Sequence, residues 1–246
     1  MTVYLSFDVE PDAPPYQSHS DKASLEGLKW ILETLDEARV KATFFVVGKL
    51  AERHPWVPEA ILEGGHELAS HGYRHLRLDR VPLEKAEEDI RRGIRVLREY
   101  TNIISFRAPN LQLPLPLLPV LKEEECLIDS SIATYKGATW KVWREDSLIR
   151  VPVTATSSLI RILPRFLWKR FLLPSGKLFY SIFYHPWEFE RIRRVPFWRP
   201  DIWLGTGIGA RMNFRTLLGI LSRKDMLLCP IRGVLYSSDC GKPKTM

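Results

Sequence analysis

Short apolar runs rich in β-branched and aromatic residues punctuate this chain. They are Val3–Phe7, Ala42–Val47, His66–Ala69, Ile103–Phe106, Leu148–Val153, Leu178–Tyr184 and Leu227–Pro230. Between them, Ser24–Ala38 carries Leu25, Leu28, Ile31, Leu32 and Leu35 at helical spacing. Pro82–Tyr100 opens with proline and repeats Ile90, Ile94 and Leu97, and Phe214–Ser222 predicts a last helix. Strand-sized runs alternating with amphipathic helices predict an α/β fold with a mainly parallel sheet. The pattern does not separate an open sheet from a closed barrel. One stretch breaks the rhythm: Ile160–Leu204 mixes Arg, Lys, Pro and Trp, as in Arg161-Ile-Leu-Pro-Arg-Phe-Leu-Trp-Lys-Arg170. It reads as loops and short helices inserted around a strand at about 160–204, within a single domain covering 1–246.

Composition narrows the classes. The chain has 246 residues, 45% hydrophobic and 26% charged, enough to fill one core and inconsistent with global disorder. The net charge of +7 favours anionic surfaces such as phospholipid or a phosphorylated substrate. No nucleic-acid-binding motif accompanies it, so nucleic acid is not an expected partner. Cys126, Cys229 and Cys240 are few and scattered, which argues against a disulfide framework or a structural zinc knot and points to a reducing compartment. Met1 runs directly into a strand-like segment, without the pattern of a signal peptide. No apolar run approaches the roughly 20 residues of a membrane span. A cytoplasmic protein is expected, and the basic, aromatic-rich insertion would suit peripheral contact with an anionic membrane surface.

Candidate chemistry sits where the strand runs end. Asp8, Glu10 and Asp12 follow the first, Ser70, His71 and His75 the third, Arg107, Pro109 and Asn110 the fourth, and His185, Trp187 and Glu188 the sixth. In a parallel barrel all strand C-termini share one face, so these groups would meet there. Asp8 and Glu10 lie two apart and, if extended, point to the same side. On a helical turn the spacing of His71 and His75 would bring two imidazoles onto one face. Two histidines and one carboxylate leave a coordination position open for water, as in catalytic zinc sites. Beside those carboxylates Arg107 would orient one of them and keep it ionised. His185, set among aromatic residues, titrates near neutrality and is a candidate general acid.

These segments, in order, resemble the motifs of the polysaccharide deacetylases, the NodB-homology group also called carbohydrate esterase family 4. Ser6-Phe-Asp-Val-Glu10 is similar to the first motif in its Asp-x-acid form. Gly65-His-Glu-Leu-Ala-Ser-His-Gly-Tyr-Arg-His75 resembles the second, Phe106-Arg-Ala-Pro-Asn110 the third, and Phe183-Tyr-His-Pro-Trp-Glu-Phe189 the last. Ile128-Asp-Ser-Ser131 is similar to a stretch between them. The resemblance implies a distorted (β/α) barrel of about seven strands. It implies a metal-dependent hydrolase that removes the N-acetyl group of an amino sugar in a glycan or a lipid- or nucleotide-linked sugar. Zn2+ is the expected ion, with another divalent transition metal possible in the same set. The implied roles are Asp8 as general base and Glu10, His71 and His75 as metal ligands. Arg107 would hold Asp8, the Asn110 N–H would be an oxyanion donor, and His185 the general acid. Tyr73 and Trp187 would contact substrate. The commonest first motif has adjacent aspartates; here Val9 separates the acids, and Asp12 is a reserve ligand. The family's fourth motif supplies an acid partner for the histidine, yet Glu145, Asp146 and Arg150-Val-Pro152 do not match it. Two rival readings remain: a same-fold hydrolase cutting a ureide or cyclic imide without metal, and an inactive glycan- or lipid-binding module.

Overall fold

The computed structural model describes residues 2–17, 19–168, 179–192, 195–223 and 226–236. Cys240 and residues 169–178 and 193–194 of the basic insertion lie outside the described residues.

Strand β1 (Thr2–Val9) is buried from its second residue onward. Its neighbours explain why: β9 (Phe179–Tyr184) runs parallel along one edge, while β2 (Thr43–Val46) and β10 (Leu227–Cys229) share the other. Seven parallel strands follow one another in the order β7-β5-β4-β3-β2-β1-β9. Of these, β3 is Glu67–Ser70, β4 Ser105–Phe106, β5 Ile128–Asp129 and β7 Leu148–Arg150. The short β8 (Ala155–Thr156) pairs with β9, and β6 (Trp143–Glu145) runs antiparallel to β7.

The connection between β7 and β8 closes the architecture. In pairing order they stand seven strand spacings apart, about 34 Å in a flat sheet at roughly 4.8 Å per strand. Only Val151–Thr154 separates them in sequence, which reaches about 18 Å at most. The sheet must therefore curl, and it does so as the expected distorted barrel.

Alternation along β1 then sorts side chains. Val3, Leu5, Phe7 and Val9 face outward into a core shared with the helices. Leu28, Ile31 and Leu35 of α1 (Lys22–Glu37) enter that core, as do Ile90, Ile94 and Leu97 of the helix Leu83–Arg98 and Phe214, Leu217 and Leu221 of the helix Ile208–Arg223. Each such side chain contributes about 1.5–3 kcal/mol on burial. Tyr4 faces inward, where Phe45, Ala69, Ile128, Ile149, Val151 and Phe179 fill the barrel. The same inward phase passes through Ser6 and reaches Asp8 at the open C-terminal rim. At the base Glu67 accepts from the hydroxyls of Thr43 and Ser105, both at 2.6 Å, and from the Arg232 N–H at 2.9 Å, which ties the C-terminal turn to three strands. No described helix is long and apolar enough to cross a membrane.

His66 gives the fold a pH dependence. It is buried, and its Nδ1 accepts the Ala42 N–H at 3.3 Å. Burial, then the charge of Lys41, pushes its pKa down to about 4, against a weak opposing effect of Asp36. The unfolded chain therefore binds the proton first. This contribution is fully present above about pH 6.5 and is lost as pH falls toward 4. Denaturant unfolding should show a loss of about 2–3 kcal/mol over that window, smaller in His66→Gln. An equal loss in the variant would rule His66 out as its source.

Candidate active site

Because the wall strands are parallel, β1, β3, β4, β5 and β9 deliver their last residues to one rim. Asp8 and Glu10 arrive from β1 and the residue beyond it, 3% and 4% exposed. Asp8 Oδ1 accepts from Arg107 Nη1 at 2.6 Å, and its Oδ2 stands 3.9 Å from His71 Nε2. Glu10 Oε2 is 2.6 Å from His75 Nε2 and 3.6 Å from His71 Nε2, and its Oε1 is 3.5 Å from His185 Nε2. Burial opposes ionisation of Glu10, but the charges of His75 and His185 and the hydrogen bonds of the imidazoles outweigh it. Its carboxyl is held well below the usual range.

The two histidines reach Glu10 from a loop, which corrects the helical-turn expectation. β3 ends at Ser70, Gly72 turns the chain at φ 73° and His75 itself sits at φ 58°. The helix Leu83–Arg98 braces this bend: Asp89 accepts the N–H groups of Tyr73 and Arg74 at 2.9 and 3.0 Å. Gly93 lets the helix lie directly on the loop, since a Cβ there would come within 2.4 Å of the Gly72 carbonyl carbon. The ring centroids end 5.3 Å apart. His71 Nδ1 lies 2.8 Å from the Arg107 carbonyl, which can only accept. That nitrogen therefore carries a proton, so on the neutral ring Nε2 would hold the lone pair, facing the acids.

Arg107 is fully buried. It donates to Asp8 and also to the carbonyl and hydroxyl of Ser130 at 3.3 and 3.0 Å, and its guanidinium lies 4.1 Å from the Phe45 ring centre. Ser131 donates to Asp129 and accepts from the Ala108 N–H at 2.8 Å. The Asp129-Ser-Ser131 stretch thus fixes the 107–110 segment. Asn110 stands at φ 59°, exposed, on the rim of the cavity that also holds His75.

His185 has an acid partner that the sequence reading missed. Glu188 Oε1 lies 2.6 Å from His185 Nδ1, three residues along on a single 3-10 turn. Glu188 is buried, takes the Ser157 hydroxyl at 2.6 Å and lies 3.1 Å from Arg161 Nε. Burial works against ionising both partners, yet Arg161 and His185 keep Glu188 below its usual range. Glu10 and then Glu188 lift His185 to about 9. The i,i+3 spacing was visible in the sequence; the parts played by Arg161, from the irregular stretch, and by Ser157, just before it, were not. Replacing Glu188 with Gln should lower kcat about 10–100-fold, because His185 loses its orienting charge. Unaltered kcat would remove Glu188 from the site.

Three expectations are revised. Tyr73 is buried, its hydroxyl donates to Glu52 at 2.7 Å, and its ring lies 3.8 Å from the Arg92 guanidinium. It braces the loop and does not line the cavity, so substrate contact is not its place. Trp187 stacks on His185 at 5.0 Å and donates to Glu10 at 3.1 Å, which makes it a positioning residue with little open surface. Asp12 accepts the N–H groups of Ala23 and Ser24 at 3.1 and 2.7 Å, capping α1, and is not a reserve ligand. Conversely Tyr135, exposed on the short 3-10 turn Thr134–Lys136, stands near enough to Asp8 and Arg107 to feel both charges, and no sequence signal marked it.

Residues 1–124 match the polysaccharide deacetylase family model. A peptidoglycan-N-acetylglucosamine deacetylase of Bacillus cereus is 26% identical over 145 residues, covering 58% of each chain. A chitooligosaccharide deacetylase of Sinorhizobium fredii is 32% identical over 111 residues, 44% of this chain and 46% of that one. The chain thus spans about half the length of these curated relatives. The crystal structure of a Mycobacterium smegmatis protein described as a polysaccharide deacetylase superposes with a TM-score of 0.76 at 22% identity, covering 100% of this chain and 93% of the other, which establishes the shared fold. With half of its length matched by the family model, on a barrel whose rim gathers the motif residues, the chain belongs to the polysaccharide deacetylase family.

Proposed function

We propose that the protein hydrolyses the acetamide of an N-acetylated sugar, releasing acetate and a free amine, with a divalent ion held by Glu10, His71 and His75. One observation carries this reading: a ligand atom from each of the three lies within 4.8 Å of the other two, with Asp8 Oδ2 3.9 Å from His71 Nε2. The donors fit a metal, since His71 offers an oriented lone pair and Glu10 stays ionised. Two imidazoles and a carboxylate favour Zn2+, with other divalent transition ions able to take the set. When bound, such an ion polarises the acetyl carbonyl and lowers the pKa of water. Asp8 Oδ2, the oxygen not held by Arg107, accepts the proton of the attacking water. Arg107 keeps Asp8 ionised and fixed. The Asn110 N–H faces the developing oxyanion, a contact of the kind that contributes roughly 3–4 kcal/mol. His185, steadied by Glu188, gives a proton to the departing nitrogen.

The assembled ligand set weighs against a metal-free imide hydrolase. The test is metal analysis of the full chain together with acetate release from N-acetylglucosamine oligosaccharides. About one equivalent of metal, with release lost on chelation and restored by Zn2+, is expected. Release that survives complete metal removal would sink the reading.

We also read 1–246 as one unit, because β10 near the C-terminus pairs with β1. Exposed Phe166, Phe197, Trp198 and Ile208 support peripheral contact with an anionic membrane surface. Co-sedimentation with anionic vesicles should fall in Phe197→Ser/Trp198→Ser; binding unchanged by that pair would discard the contact.

A further inference from the structure

We propose that the substrate carries a phosphate group beside its acetamido sugar, and that the cavity next to His75 holds it. The inference rests on the deacetylase reading above and adds to it the chemistry of the substrate. The cavity measures about 460 Å3, the size of a small-molecule site. His75 and Asn110 stand at its inner edge, so a ligand in it abuts the reacting centre. Pro11, Pro14, Pro15 and Val47 give it an apolar side, Lys49, Arg53, Arg74, Arg77 and Arg80 supply the charge, and no acidic residue lines it.

These cations come from three segments. Lys49 and Arg53 belong to the helix Gly48–Arg53, Arg74 to the loop carrying His75, and Arg77 and Arg80 to the turn that follows. Two are compensated from outside the cavity: Arg53 by Asp21 at 2.8 Å and Arg77 by Asp79 at 2.7 Å. Lys49, Arg74 and Arg80 have no carboxylate within 4 Å among the described residues. Lys136 Nζ, 2.6 Å from the Asn110 carbonyl, adds positive charge at the rim. A cleft lined mainly by one sign of charge focuses its field and raises the local concentration of an anionic ligand. Three uncompensated cations match the two or more charges of a phosphate ester or diphosphate better than the single charge of a carboxylate. Arginine forks also engage phosphate oxygens in pairs. A neutral glycan could take hydrogen bonds from this lining but would leave its charge unmatched.

The experiment titrates N-acetylglucosamine 1-phosphate and neutral N-acetylglucosamine, by calorimetry, into the chelator-treated full chain. The phosphate sugar should bind at least 10-fold more tightly at 50 mM salt, with the gap narrowing at 500 mM. The double variant Arg74→Ala/Arg80→Ala should lose at least 5-fold of that preference while melting at an unchanged temperature. Arg95→Ala, an exposed helix cation outside the cavity, should lose none. Equal affinity for the two sugars, or a preference untouched by the double variant, overturns the subsite. In zinc-loaded protein, acetate release is then compared among a nucleotide diphosphate-linked sugar, a polyprenyl diphosphate-linked sugar and a neutral chitooligosaccharide. Higher kcat/KM for either phosphate-bearing sugar supports the proposal and shows whether the phosphate belongs to a nucleotide or a lipid. Turnover of the neutral oligosaccharide at equal or greater kcat/KM overturns the phosphate requirement and leaves the deacetylase reading standing. Absence of acetate from all three with metal bound overturns the deacetylase reading itself.

Discussion

Asp8→Asn is expected to lower kcat and kcat/KM together by about 10^3-fold while the protein still binds its metal. The two oxygens of Asp8 have different duties. One accepts the short hydrogen bond from Arg107, and the other stands at the edge of the ligand cluster, 3.9 Å from His71 Nε2. Glu10 cannot take the base role so readily, because His75, His185 and the Trp187 indole already surround its carboxylate. Asparagine keeps the shape and one acceptor but cannot take up a proton at neutral pH. It also leaves the buried Arg107 without its counter-charge, and removing one partner of a buried pair costs about 3–5 kcal/mol. The Ser130 contacts and the Phe45 face soften that loss. Rates must therefore be compared where circular dichroism shows a fully folded variant. Near wild-type turnover with metal bound would move the base elsewhere, and loss of metal from Asp8→Asn would make Asp8 a ligand.

What the sequence disclosed, and what it hid, follows from the range of each interaction. The inward phase of Asp8 and Glu10 was readable because alternation along a strand is local. The helices around Leu28 and Ile94 were readable because each carries its apolar stripe within a few turns. Strand β4 was caught only within the longer run Ile103–Phe106; β5 and β8, also of two residues each, are too short for any periodicity. They exist because neighbouring strands offer partners. The spacing of His71 and His75 fitted a helical turn, but Gly72, Asp89 and Gly93 bend the segment into a loop, and two of these lie on a later helix. The partner of His185 was sought before it in sequence, whereas a 3-10 turn brings Glu188 back from just after it. Asp12 has the composition of a ligand, yet the free N–H groups of the next helix claim it first. The basic cavity escaped notice because Arg74, Arg77 and Arg80 look like solvated surface until Lys49 and Arg53 are placed opposite them.

His71→Ala is expected to do what Asp8→Asn does not: abolish metal binding and activity together. Loss of an outer partner of a metal-ligating histidine costs about 10–100-fold in affinity. Loss of the ligand itself should exceed that, with at least a 10^3-fold fall in acetate release at sub-millimolar metal. A competition titration against a chromophoric chelator measures the first, and added excess Zn2+ should restore only part of the second. His75→Ala should behave alike, although His75 is held at φ 58°, a conformation costing a non-glycine residue about 1–2 kcal/mol. The fold keeps that strain because the Asp89 contacts fix the two residues just before it, as expected where geometry serves a site. Wild-type metal affinity in His71→Ala would dissolve the ligand set. The contrast between the two variants is the sharper test, since one residue joins their targets. The carbonyl of Arg107 sets the tautomer of His71, and its guanidinium holds Asp8. On the proposed roles, base and ligand are anchored through the same buried arginine, so only substitution at each would separate proton transfer from metal binding.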